Sequence, residues 1–108
     1  MINVPIKPMS VNKVWQGKRF KTKEYKQYEQ DVLTLLPKID IPDGDLEIRI
    51  SAFFSTRVSD LDNIAKPFID ILQKKYGFND SRVYRLLMTK YIVPKGKESI
   101  SFVILEYS

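Results

Sequence analysis

Asp60 and Asp62 stand two residues apart in the run Ser59-Asp60-Leu61-Asp62-Asn63-Ile64-Ala65-Lys66-Pro67, with Asp70 and the pair Asn79-Asp80 further along. If the link before the helix is extended, alternation turns both carboxylates to the same side. Asn63, Lys66 and Asp70 follow at i, i+3 and i+7, one stripe of a helix away from its apolar face. Two carboxylates converging with an amide and an ammonium suit a metal and a phosphate. Clustered carboxylates repel one another and take up protons unless a cation neutralises them. A hard divalent cation does so and keeps coordination positions for water and a phosphate oxygen. A neighbouring lysine can steady the charge on the phosphorane or on the leaving oxygen. Asp80 completes such a site if the loop after the helix folds back over its beginning, a return the spacing alone does not establish. The same residues also admit a structural reading. Asp and Asn ahead of a helix are ordinary caps, and Lys66 with Asp70 is an ordinary surface pair.

Other chemistries are narrowed by what is missing. The chain has no His and no Cys, which removes zinc fingers, His general bases and Cys nucleophiles. Any metal must be held by oxygen, which favours magnesium, manganese or calcium. An EF-hand does not fit, because Ile64 and Ala65 stand where a ligand and a glycine are wanted. Pro42-Asp43 with Glu47-Ile48-Arg49 falls short of a restriction-type nuclease site, being too compact and lacking its lysine.

The elements that must position these residues are readable from periodicity. Ile2, Val4 and Ile6 alternate over a first strand ending at Pro8, and Asn12 to Lys21, which includes Gly17, reads as a loop. From Thr22 the spacing of Tyr25, Tyr28, Val32, Leu35 and Leu36 predicts a helix that Pro37 stops. Leu46, Ile48, Ile50, Ala52 and Phe54 alternate as a strand with one buried face. Ile64, Phe68, Ile71 and Leu72 form the stripe of a second helix; Pro67 keeps its start close to Asn63, and Gly77 ends it. Residues 83–93 and 100–107 are β-rich, and Pro94-Lys95-Gly96-Lys97 between them reads as a hairpin turn. The order β-α-β-α-β-β in 108 residues predicts one α+β domain over 1–108. Two layers, a mixed sheet with both helices on one face, are expected. Phe53, opposite the apolar alternation, is expected either at an interface or under the first helix.

The charge is uneven. The net charge is +5, and the segment from Asn12 to Lys26 accounts for it alone: Lys13, Lys18, Arg19, Lys21, Lys23 and Lys26 against Glu24, six less one. Trp15, Phe20 and Tyr25 are interleaved, and cations with flat rings suit a phosphate backbone and exposed bases. A solvated basic loop running into a helix is the plainer reading. At 44% hydrophobic and 29% charged the chain is expected to be globular. No apolar run approaches a membrane span, no charged-then-apolar leader opens it, and the lack of cysteine fits a cytoplasmic setting.

Asp60-Leu61-Asp62-Asn63, then Lys66, Asp70 and Leu72, then Asn79-Asp80-Ser81-Arg82-Val83 resemble the RusA family of Holliday junction resolvases. That family shows Asp-x-Asp-Asn-x-x-Lys, an Asp four residues on, and an acidic doublet about ten residues later, ahead of a strand. The resemblance extends over nearly the whole chain, including Asn12 in the first loop. It implies a homodimer that binds four-way DNA junctions and makes paired nicks with Mg2+ or Mn2+. Asp60, Asp62 and Asp80 then match the metal-binding catalytic aspartates and Lys66 the catalytic lysine. Asn63 and Asp70 take supporting places; Asn12, Lys13, Lys18, Arg19, Lys21 and Lys23 are the expected DNA contacts. Two identical sites on a twofold axis suit a twofold junction cut on two strands. The sequence departs from the family at Asn79, where an aspartate is usual. A junction- or single-strand-binding module without catalysis is therefore the competing expectation, and a basic partner of an acidic protein a weaker third.

Overall fold

The computed structural model describes residues 1–10, 15–16 and 20–108, with backbone only for Trp15, Gln16, Phe20 and Lys21. Its strands are β1 (Ile2–Val4), β2 (Trp15–Gln16), β3 (Phe20–Lys21), β4 (Leu46–Phe54), β5 (Val83–Ile92) and β6 (Ser99–Glu106). Its two α-helices are α1 (Lys23–Leu35) and α2 (Asp62–Tyr76). The fold is α+β, with a four-stranded mixed sheet in the order β1-β6-β4-β5. No described helix is long and apolar enough to cross a membrane.

Alternation along β4 decides the layering. Leu46, Ile48, Ile50, Ala52 and Phe54 are all buried, and their register partners Ile104, Phe102 and Ile100 on β6 point the same way. Phe68 of α2 meets Phe102 edge-on, with ring centroids 5.7 Å apart. Tyr25, Tyr28 and Val32 of α1 join the same apolar cluster, so both helices cover this face. α1 begins as its sequence indicates, with the Thr22 hydroxyl accepting the Tyr25 N–H at 3.1 Å, a cap typically worth about 1 kcal/mol.

Two expectations are corrected. Within residues 12–21, read as loop, β2 and β3 pair antiparallel, Trp15 opposite Lys21. Strands of two residues are too short to carry a period of two. The larger correction concerns β5 and β6, which do not form a hairpin. β5 pairs parallel with β4, and β6 pairs antiparallel along its other edge. The Pro94–Lys97 turn exists, with the Lys97 N–H bonded to the Pro94 carbonyl at 3.0 Å and Gly96 at φ 94°. It carries the chain past the end of β4, where the Val93 N–H donates to the Phe54 carbonyl. Turn chemistry specifies a reversal but not which strands become neighbours. An apolar strand such as β4 gains most from being paired on both sides. Crossing it takes about 10 Å, two strand spacings, well within the reach of residues 93–98.

The opposite face of the sheet carries Glu47, Arg49, Ser51 and Phe53. Phe53 stacks on Tyr91 with centroids 4.9 Å apart, so it does not pack under α1. Glu47 is buried and held by Arg49 Nε at 2.5 Å and Arg85 Nη1 at 3.1 Å. The Arg49 hydrogen bond, opposed by burial and aided by Arg85, keeps the Glu47 carboxyl below the usual carboxylate range. A depressed folded pKa stabilises the fold above the unfolded value, about 4.3, and that stabilisation is lost as pH falls through the folded value. Glu47→Gln is expected to flatten the acid limb of an unfolding-against-pH curve below about pH 4.3; an unaltered limb would remove this network from acid denaturation.

Candidate functional site

α2 opens at Asp62, close to Asn63 as Pro67 requires, and its first turn is tight: the Ile64 N–H reaches the Leu61 carbonyl at 3.2 Å. The cap position is Leu61, with no side-chain cap bond and in helical, not extended, conformation (φ −62°, ψ −45°), so the alternation expected to turn Asp60 and Asp62 to one side does not hold. The capping role open to Asp60 and Asp62 is thus not taken up. Among the described residues the Asp60 carboxylate accepts only a long contact, 3.4 Å, from the Asn63 amide. Among the described residues neither Asp60 nor Asp62 has a cationic partner. Both are exposed, and a carboxylate at a helix start is favoured by the helix dipole. Their donor chemistry suits a hard divalent cation.

Lys66 turns the other way along α2. Its ammonium pairs with Asp70 at 3.0 Å, and with both side chains well exposed this pair contributes little to stability. Asp70 also accepts from Gln73 Nε2 at 3.4 Å. Gln73 Oε1 in turn accepts the backbone N–H of Asp80 at 2.9 Å. The return of the chain toward α2 is built from four local devices. Gly77 adopts the left-handed conformation, φ 72°, with its N–H on the Gln73 carbonyl at 2.8 Å. Phe78 is buried. Asn79 caps the 3-10 turn Asp80–Arg82 by accepting the Ser81 N–H at 2.8 Å. Arg82 Nε then holds the Gly44 carbonyl at 2.9 Å. Asp80 is therefore tied to α2 through its backbone while its carboxylate stays exposed. Among the described residues no three acids are gathered closely enough to share one ion. Asp60 and Asp62 stand at the start of α2, and Asp80 at the Gln73 level of it.

A cavity of about 510 Å³ adjoins Asp60 and Asn63, lined also by Lys7, Met9, Ser10, Glu24, Phe54, Ser59 and Ile64. Ser10 and Glu24 lie on either side of residues 11–23, so the basic segment leaves from and returns to the wall of this cavity. Asn12, Lys13, Lys18 and Arg19 lie outside the described residues, as does the side chain of Lys21; Lys23 is exposed at the start of α1.

Sequence reasoning missed the groups that brace α2. Glu29 of α1 pairs with Lys74 of α2 at 2.5 Å and takes the Tyr25 hydroxyl as a hydrogen-bond partner. Burial first, and then the Glu29 charge, push that hydroxyl well above its ordinary value, so it remains a donor. Gln73 was missed as well. Glu29 and Lys74 are 45 residues apart and Gln73 is one polar helix residue among several, so no local pattern marks them.

No individual curated protein matches the chain. A family model, Endodeoxyribonuclease RusA, matches residues 5–99, from just after β1 to the first residue of β6, and takes in every residue of the candidate site. The chain belongs to the RusA endodeoxyribonuclease family.

Proposed function

We propose that this protein is a metal-dependent, structure-specific endonuclease that resolves four-way (Holliday) DNA junctions by paired nicks, in cytoplasmic DNA recombination and repair. The observation that carries this reading is the pair of exposed carboxylates, Asp60 and Asp62, at the start of α2, with no cap bond and no cationic partner among the described residues. Asp60 borders a cavity whose wall includes Ser10 and Glu24, the residues on either side of 11–23. Asp60 and Asp62 would hold Mg2+ or Mn2+ at the start of α2, and Asp80, the third aspartate that the family resemblance implies, would have to close on them for all three to share the ion. When bound, the ion supplies a water of lowered pKa and a counter-charge for the scissile phosphate. Lys66 places its ammonium toward the phosphate oxygens, steered by Asp70, and Asn63 restrains the Asp60 carboxylate. Asn12, Lys13, Lys18, Arg19, Lys21 and Lys23 contact the DNA backbone, an interaction that weakens steeply with salt.

A homodimer supplies the second site for the second nick. β5 lies at the end of the sheet order, and Tyr84, Leu86, Leu87, Tyr91 and Ile92 on it are 40% or more exposed. An apolar edge of that kind invites a second copy of the same strand.

The test is a labelled four-way junction incubated with the protein, with and without Mg2+. Symmetric paired nicks that require the metal are expected, and a linear duplex should stay intact. Binding without product under Mg2+ or Mn2+ would favour a non-catalytic junction-binding module. Asn79 bears on that alternative. It caps the turn through an oxygen that an aspartate also offers, so Asn79→Asp should leave the cleavage rate within about threefold. Activity that appears only in that variant would overturn the catalytic reading of this chain.

A further inference from the structure

Three side chains on one stripe of α2, Lys66, Asp70 and Gln73, are joined in series, and the series ends on the backbone of Asp80. We propose that Gln73 is a positioning residue that fixes Asp80 relative to the Lys66–Asp70 pair. The inference rests on the nuclease reading for its consequence, though not for its geometry.

A glutamine amide has both an acceptor and donors, and Gln73 uses the two ends on different parts of the site. Its oxygen takes the Asp80 N–H at 2.9 Å, and its nitrogen leans on Asp70 at 3.4 Å and on the Ile69 carbonyl at 3.5 Å. The oxygen contact is the short one, so the tie to Asp80 is the stronger end. Helix spacing makes the relay possible, since i, i+4 and i+7 share a face. The backbone N–H of Asp80 has no other acceptor among the described residues. Phe78 and Asn79 hold the approach to Asp80, but neither bonds Asp80 itself. Removing the Gln73 oxygen leaves the core untouched and frees the backbone that aims this carboxylate. A carboxylate less well placed binds a hard cation more weakly, whereas contacts to the DNA backbone are unaffected.

Two variants separate the ends of the amide. Gln73→Met keeps the length and loses both hydrogen-bonding ends; Gln73→Glu keeps an acceptor for Asp80. In amide hydrogen exchange followed by NMR, Gln73→Met is expected to speed exchange at Asp80 about tenfold, with the β4 amides unchanged. Gln73→Glu should stay within about twofold of the parent at Asp80. In junction cleavage, Gln73→Met should raise the Mg2+ concentration for half-maximal rate about tenfold, with junction affinity in Ca2+ unaltered. Unchanged Asp80 exchange in Gln73→Met, or equal acceleration in both variants, would overturn the proposal. A parent protein that never cuts junctions would sink the nuclease reading alone, because the exchange comparison still decides whether Gln73 holds Asp80.

Discussion

Asp62→Asn is expected to lower junction cleavage by on the order of 10³-fold or more, while junction binding stays intact or tightens. The sign of the binding effect follows from charge. Asp62 is exposed in the first turn of α2 and has no cationic partner among the described residues, so in the absence of a bound cation it repels the phosphates that the basic segment attracts. Neutralising it removes that repulsion together with one of two adjacent hard donors. Stability should change little. Asp62 makes no hydrogen bond among the described residues, and loss of its favourable interaction with the helix dipole costs about 0.3–1 kcal/mol. Cleavage and unfolding therefore report on different things in this variant. Rates measured at saturating junction in Mg2+, beside Kd measured without divalent metal, make the comparison. Cleavage within tenfold of the parent would remove Asp62 from the mechanism, and a matching loss of binding would make it a DNA contact instead.

Much of the scaffold for this site was legible because α2 obeys local rules over its whole length. Ile64, Phe68, Ile71 and Leu72 lie where helical periodicity put them, all buried, and Gly77 ends the helix in the conformation that glycine adopts most readily. Burial of one stripe leaves the other, with Lys66 and Asp70, toward solvent. The pairing of strands was not legible. Residues 83–93 and 100–107 were read as β, within a residue of the observed strands at each end, yet their neighbours depend on how β4, far away in sequence, is best covered, and the turn between them carries no such information. Asp80 was in between. The family resemblance named it, whereas its anchorage depends on Gln73, on the burial of Phe78 and on the Asn79 cap. None of these three leaves a sequence signature; Gly77, which ends α2 ahead of them, does. Asn79, whose departure from the family raised the alternative of an inactive module, makes a capping bond that aspartate also makes.

The second large effect concerns the fold that carries the chemistry. Phe68 sits between Lys66 and Asp70 on α2 and is fully buried, with its ring edge-on to Phe102 of β6 at 5.7 Å. It is the main bolt between the helix bearing the site and the sheet beneath. Phe68→Ala is expected to cost about 3–5 kcal/mol, the range for a buried phenylalanine that leaves a cavity. Against a total stability of about 5–15 kcal/mol for a domain of this kind, that brings the chain near unfolding at physiological temperature. The thermal midpoint should fall by on the order of 20 °C. Part of the effect belongs to the pair. In a double-mutant cycle with Phe102→Ala, a coupling of about 0.5–1.5 kcal/mol is expected for the edge-to-face contact. Urea titrations of the four proteins measure both quantities. A loss below about 1 kcal/mol for Phe68→Ala would mean that α2 is held chiefly by Ile64, Ile71, Leu72 and the Glu29–Lys74 clamp. Cleavage by the variant, scaled to its folded fraction in the cold, should return to the parental rate, because Phe68 faces away from Asp62, Lys66 and Asp70. A rate still depressed after that scaling would mean that the Phe68–Phe102 contact sets the pitch of α2, and with it the aim of the carboxylates.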